Sequence, residues 1–483
     1  MKKRFSAILL LISMLAVSCG GENSAPDETT PASTDPVEST ETTSGRDKSD
    51  LPDKKLDGFT LRVLHRDPGG VTTSMDTIAP DEADGDVLND AFYNRNVRLF
   101  AKYEFNIEKL YVTDVLAAVE KSVTAGDDEY DIALPYYDRA AEKVGTEIFA
   151  DLNTLGNLNL SKNYWDQNFN SATSLGGKNY FAVGDIMVSD DDVLLMMLYN
   201  SDFAADLGIE NLYTAVEEGR WTYDLLRKYV KQVANDLDGD GKITKDDTVG
   251  FLWASNNCLA PHMLAVGQQI FTKDKNDVPI MNSDLTKAYY VFDILGELLD
   301  QSRYSLEWIQ YGADQVSVIT GLVSNKQVLF QNLILSQLRR LYRDVTADFG
   351  MLPMPKLDES QENYYSTLYK TFEAIAVPAT NSHLDETGFV LEALAEASGD
   401  INNAYYNICL ESKYTRDPES FEMISLAREN VIYDVGYIYD FGKLYSSLND
   451  AAARGESGSM ASLIASLSDS AKAAAEEFVG KLN

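Results

Sequence analysis

An α/β fold in two lobes or more is what this sequence predicts, and three observations predict it. Strand-like alternation and helical spacing take turns between residues 59 and 135. The chain behind its first 56 residues is too long for one small domain. Further on the helical fraction rises, and no repeat of about 20–50 residues points to a solenoid.

Phe59, Leu61 and Val63 alternate with more polar neighbours, which predicts a strand over Phe59–Arg66. Leu88, Phe92, Val97 and Phe100 recur at helical spacing within residues 88–103. Residues 105–110 alternate again, and Thr113 stands where it could cap a helix with Leu116, Val119 and Val123 on one face. Residues 131–135 then predict a short buried strand. Strand, helix, strand, helix, strand is the order of a largely parallel sheet. Such sheets bind ligands beyond the carboxyl ends of their strands. The informative loops are therefore His65, Arg66 and Asp67, and Tyr136, Tyr137, Asp138 and Arg139. Residues 193–200 predict another strand. Residues 221–234 predict an amphipathic helix with Leu225, Leu226, Tyr229 and Val233 on one side. Residues 285–300 and 326–342 have a similar pattern, and residues 460–482 predict an Ala/Ser-rich amphipathic helix.

The start of the chain has its own signature. Lys2, Lys3 and Arg4 precede an apolar run from Phe5 to Val17, then Ser18 and Cys19. Residues 1–18 read as a signal peptide, too short to span a membrane as a stable helix. Cys19 resembles the lipidated cysteine of a lipobox, although Leu15 lies four residues before it and Ala16 takes the usual leucine slot. A plain cleaved signal is the alternative. Residues 20–55 are rich in Thr, Ser, Pro, Asp and Glu and lack the apolar surface to offset ordering entropy. With Cys19 they predict a lipid anchor and disordered tether over residues 19–56. The net charge of −35 argues against nucleic acid or an anionic membrane face as partner. Cys258 and Cys409 sit in apolar company and predict two buried thiols rather than a disulfide.

Two chemical classes can be weighed from motifs. Asp236, Asp238 and Asp240 at loop positions 1, 3 and 5, with Gly241 at 6, follow the calcium-loop pattern. Lys242, through its carbonyl, Thr244 and Asp247 would complete the ligands, with Asp247 replacing the usual glutamate. A structural Ca2+ is one expectation and an Asp/Gly-rich turn the other; no cofactor is required. Catalysis finds little support. The three histidines, His65, His262 and His383, lack zinc spacing, and no nucleophile elbow, phosphate loop or dinucleotide fingerprint occurs. With 76 acids, carboxylate pairs carry no specificity.

Several short motifs resemble, in order, landmarks of extracellular solute-binding proteins. They are Asp131-Ile-Ala-Leu-Pro-Tyr-Tyr-Asp-Arg, Gly177-Lys-Asn-Tyr-Phe-Ala-Val-Gly-Asp, Leu198-Tyr-Asn and Gly219-Arg-Trp-Thr-Tyr-Asp. The Asp-Gly-Asp-Gly loop, Val249-Gly-Phe, Asp348-Phe-Gly-Met-Leu-Pro-Met-Pro-Lys and Lys413-Tyr-Thr-Arg-Asp-Pro-Glu-Ser-Phe-Glu-Met continue the series. Over residues 57–450 the chain thus resembles family 1, the maltose-binding-like receptors of ABC importers. That resemblance implies a two-lobed periplasmic-binding-protein-like fold (type II) with hinge crossings. Lobe one would be residues 57–192 plus 372–430, and lobe two 193–371 plus 431–483. It implies a ligand site at His65, Arg66, Asp67, Tyr136, Tyr137, Asp138, Arg139 and Asp191 or Asp192. In lobe two the site would add Trp253, Asn256, Asn257, Gln331 and Asn332. Asp, Asn and Arg suit adjacent hydroxyls, and aromatic faces suit a pyranose. Trp165, Trp221 and Trp308 are expected as core or helix anchors, while Tyr136 and Tyr137 could be either site or core. Arg139 could instead pair with Asp138 to hold its loop. Maltose-binding relatives carry an aromatic residue after the Asn of the lobe-two strand, where this chain has Asn332-Leu-Ile-Leu. Maltodextrin in particular is therefore disfavoured.

What this implies is a monomeric, membrane-tethered receptor passing a small solute, a carbohydrate by the residue types, to an ABC permease. It would not be an enzyme, and it would work on the outer face of the cytoplasmic membrane. A lipid-anchored glycoside hydrolase and a non-closing glycan-capture lipoprotein are the alternatives.

Overall fold

In the computed structural model, which describes residues 45–67 and 78–482, strand β1 (Phe59–Arg66) buries Leu61 and Val63 as its alternation requires. Leu64 and His65 are buried as well, so the end of the strand is covered on both faces, as parallel strands are. It pairs in parallel with β2 (Phe105–Val112), Phe59 opposite Phe105 through Arg66 opposite Val112. On its other edge lies β3 (Ile132–Ala133), giving the order β2-β1-β3. Buried Asp131 fixes that pairing by accepting from Arg62 N at 2.7 Å and Nε at 3.0 Å. A returning segment joins this lobe when Ala133 and Ala376 exchange backbone hydrogen bonds of 2.8 and 2.9 Å.

Helix α1 (Val87–Tyr103) and helix α2 (Val115–Ala125) follow the first and second strands. The buried stripe of α1 runs through Leu88, Phe92, Leu99 and Tyr103, while Val97 is exposed, contrary to the expected face. Asp114, rather than Thr113, caps α2 by accepting from Ala117 N.

The second lobe is a five-stranded sheet. Its strands are β4 (Leu195–Tyr199), β5 (Val249–Trp253), β8 (Ser305–Glu307), β9 (Val328–Ile334) and β10 (Gly350–Leu352), in the order β10-β4-β9-β5-β8. A small hairpin, β6 (Phe271–Lys273) and β7 (Pro279–Met281), stands apart from it. Residues 326–342 are not the single expected helix. Their first half is β9, central in the sheet, and only Leu335–Leu341 is helical. An unbroken apolar run such as Val328-Leu-Phe has no period to tell a buried strand from a helix.

Three chain segments run side by side between the lobes. Leu195 N donates to Thr367 O at 3.0 Å and Tyr369 N to Val193 O at 2.9 Å. Ser366 N reaches Asn430 O at 3.1 Å, and Ile432 N reaches Ser366 O at 2.9 Å. The helix Pro418–Glu429, expected in lobe one, packs on lobe two. Its Ser420 hydroxyl accepts from Met351 N at 2.9 Å, and Asp417 accepts from Tyr213 OH at 2.9 Å. The tail after residue 431 touches both lobes. Asp434 accepts from Ile270 N and Phe271 N in lobe two, whereas Tyr439 OH donates to Thr173 O in lobe one.

The signal peptide, Cys19 and the tether as far as residue 44 lie outside the described residues. The last part of the expected tether is held against the folded body. Arg46 pairs with Asp185, Ser49 Oγ donates to Glu396, and Leu56 is buried. Cys258 and Cys409 are both free and buried, and burial pushes the Cys258 thiol up to about 12. Among the described residues no helix is long and apolar enough to cross a membrane.

Candidate functional site

Lobe two offers a cavity of about 120 Å3 at the carboxyl end of β5. Trp253, Trp308 and Tyr369 supply aromatic walls, and Asn256, Asn257, Asn332 and Gln337 supply amides. Glu307, at the end of β8, accepts from Ser255 N and Oγ at 3.1 and 3.0 Å and from Gln310 N at 2.8 Å. That carboxylate shapes the loop carrying both asparagines. Asn449 grips the same loop from behind, accepting from Cys258 N at 3.0 Å and donating to Ser255 O at 2.9 Å.

Asn332 is set by His262. The Asn332 Nδ2 lies 3.0 Å from His262 Nε2, and Tyr223 OH lies 2.8 Å from Nδ1. His262 is fully buried, and burial pushes its imidazole down to about 3, so the ring is neutral. With the Asn332 amide donating to Nε2, Nδ1–H donates to Tyr223. The Asn332 Oδ1 is buried and has no hydrogen-bond partner among the described residues.

The lobe-one half is smaller, about 90 Å3, and is lined by Arg66, Tyr136, Arg139 and Glu373 with Asp114 at its edge. Arg66 donates to Tyr136 OH and lies 4.9 Å from the ring centroid. A hydrogen-bonded run joins the halves. Tyr437 OH donates to Asn257 at 3.2 Å and accepts from Lys370 N at 3.3 Å, and the next residue, Thr371, donates to Asp138 at 3.0 Å.

The structure therefore brings Arg66, Tyr136 and Arg139 together in one half, and Trp253, Asn256, Asn257 and Asn332 in the other. The remaining expected residues are placed differently. His65 is core, its Nδ1 on Arg66 O at 2.7 Å and its Nε2 3.6 Å from Glu373. Asp67 is exposed at the edge of the described chain. Tyr137 packs against Phe169, Phe181 and Phe372. Asp138 holds Thr371 rather than Arg139. Gln331 is fully buried and accepts from Tyr342 OH. Asp192 pairs with Arg339 and Tyr405 at 2.7 Å each, and Asp191 faces away from this cleft beside Arg428. His65 and Gln331 lie within strands, where every second side chain turns inward; Tyr137 and Asp138 open a short helix, Tyr137–Ala141, whose inner face is core.

Trp308, Tyr369, Gln337 and Tyr437 were missed. Trp165 and Trp221 are core as expected, but Trp308 lines the cavity. No local pattern marks these residues, since they reach the site from separate segments of the chain.

In the acidic loop only Asp236, Asp238 and Asp240 bring carboxylate oxygens within 4.8 Å of one another. Asp247 is buried and spent on the loop itself, accepting from Leu237 N, Thr244 N and Thr244 Oγ1 at 2.8 Å.

No family model matches the chain, and no curated protein does. Solved structures do. The galacto-N-biose/lacto-N-biose I-binding protein of an ABC transporter from Bifidobacterium longum superposes with a TM-score of 0.59 at 13% identity, over 87% of this chain and 98% of that one. A cyclic α-maltosyl-1,6-maltose binding protein from Arthrobacter globiformis gives 0.55 at 16%, over 87% and 99%. A cyclo/maltodextrin-binding protein complexed with maltotetraose gives 0.54 at 18%, over 89% and 98%. At such identities the likeness is one of fold: the chain has the two-lobed periplasmic-binding-protein-like architecture.

Proposed function

We propose that this two-lobed chain is the receptor of an ABC importer, binding a small carbohydrate between its lobes and catalysing nothing itself. The observation that carries the reading is the lobe-two cavity, where two indoles and a phenol stand among four side-chain amides. Aromatic faces cover the apolar side of a pyranose, and amides meet its hydroxyls without charge. The solved relatives of the same fold are named as sugar-binding proteins, which supports the same conclusion. Arg66 and Tyr136 on lobe one would complete the site when the lobes close over the solute. Lipidation at Cys19 would hold the receptor at the outer membrane face, where a monomer meets its permease.

Thermal unfolding of a soluble form beginning near Asp47 tests this against mono- and oligosaccharides, amino acids and short peptides. A ligand at a hundred times its Kd adds about 2.7 kcal/mol, which for a chain of this size raises Tm by a few degrees or less. A shift with sugars is the expected result. Shifts with peptides alone would replace the substrate class, and turnover of a glycan would replace the receptor reading with an enzyme.

Calcium is proposed as a weak structural ligand of Asp236, Asp238 and Asp240, with the Lys242 carbonyl and Thr244 as the expected further ligands. Because Asp247 is turned into its own loop, affinity should fall in the weak class of about 10⁻⁴–10⁻³ M. Millimolar calcium should raise Tm, and Asp238→Asn should remove the increment. An unchanged Tm in both proteins would assign the loop to a plain turn.

A further inference from the structure

A second concave site lies on the other face of the crossing strands. Leu194 and Leu368 line it, whereas their neighbours Leu195 and Tyr369 line the cleft already described. Successive residues of an extended chain point to opposite sides, so the two sites stand back to back. This one has a volume of about 240 Å3, twice that of the lobe-two cavity.

Four carboxylates and one guanidinium reach it: Asp166, Asp185, Asp190, Asp191 and Arg428. Three of the acids have partners. Asp166 accepts from Phe169 N at 2.9 Å and from Tyr433 OH at 3.3 Å. Asp185 is held by Arg46 and Asn402. Asp191 accepts from Tyr406 OH and lies 3.5 Å from Arg428 Nε. Asp190 is different. It is 5% exposed, and its Oδ1 has no hydrogen-bond partner among the described residues. A buried carboxylate with one oxygen unsatisfied is costly when ionised.

We propose that this site binds an organic cation, a primary ammonium or guanidinium on a short apolar stem, with Asp190 as its counter-ion. The four acids outnumber Arg428 and the Arg46 that holds Asp185, which gives the sign of the ligand. Its size follows from the spacing. No three of these carboxylates converge within 4.8 Å, as Asp236, Asp238 and Asp240 do, so a bare metal ion would lack ligands. Leu194, Leu368, Val431 and the Tyr433 ring provide an apolar wall for the stem. Burial, reinforced by Asp191 and Asp166 and opposed by Arg428, holds the Asp190 carboxyl well above the usual range. The cation pairs with the ionised carboxylate, so affinity rises with pH through the range in which Asp190 ionises in the free protein.

Calorimetric titration with n-propylammonium and methylguanidinium, in two buffers of different ionisation enthalpy, tests the proposal on the full soluble chain. The expected result is binding, weakened at least tenfold by Asp190→Asn, while n-propanol does not bind. If Asp190→Asn does not fold, Val431→Trp, which fills the site from its rim, must abolish cation binding alone. No binding of either cation at tens of millimolar overturns the proposal, as does equal binding of n-propanol or binding indifferent to both variants. None of these readouts depends on the solute of the opposite cleft.

Discussion

Replacing Trp308 by alanine should weaken binding of the cognate sugar by about a hundredfold, or about 3 kcal/mol, with little effect on stability. Trp308 is only partly buried and lines the lobe-two cavity. Its ring face is therefore available to stack on a ligand. Its backbone N–H, which holds Trp253 O at 3.1 Å, survives the substitution. Trp253 would be the poorer test. It is buried and its Nε1 is committed to Ser305, so its removal opens a core cavity worth roughly 3–5 kcal/mol. Isothermal titration with whichever sugar raises Tm reads the effect. An unchanged Kd would move the solute out of this half of the cleft.

Arg95→Ala should cost about 4 kcal/mol of stability and leave sugar affinity at room temperature intact. The side chain is fully buried on α1 and donates at 2.9 Å to Ile186 O, Ser398 Oγ and Ile78 O. It also reaches Asn96 Oδ1 at 3.0 Å. These bonds tie α1 to two distant loops of lobe one. Deleting the guanidinium leaves the Ile186 carbonyl unsatisfied, while Ile78 O keeps Asn96 Nδ2 at 2.8 Å, and it opens a cavity; the two costs add. Lysine cannot restore the fork, so Arg95→Lys should recover less than half. Urea unfolding measures both. A loss below about 1 kcal/mol would mean that water takes over the acceptors.

Parts of this molecule are legible in the chain because the physics is local. Phe59-x-Leu61-x-Val63 has one face to bury, so its alternation announces β1, and the acids of the Asp236–Asp240 loop announce a turn. Where burial is complete the signal is lost. Val328-Leu-Phe-Gln-Asn-Leu-Ile sits mid-sheet with both faces covered, and nothing in its composition separates strand from helix. The same holds at α1, whose buried stripe admits Arg95 and Asn96 and exposes Val97. Of the residues that the resemblance implied, some line the two cavities and their neighbours are core. Tyr136 reaches the cavity while its neighbour Tyr137 fills the core, a choice made by the direction of each Cβ.

The sequence by itself determined the α/β class, the parallel first sheet and the buried thiols, because periodicity and apolar content act within a few residues of themselves. The tertiary structure alone decided which aromatics line the lobe-two cavity. Trp308 is brought there by the pairing of β8 with β5, and Tyr369 by the side-by-side crossings at residues 193–195, 366–369 and 430–432. The crossings also put Leu195 and Leu194 in different sites. A site assembled from contacts hundreds of residues apart leaves no spacing in the chain to read.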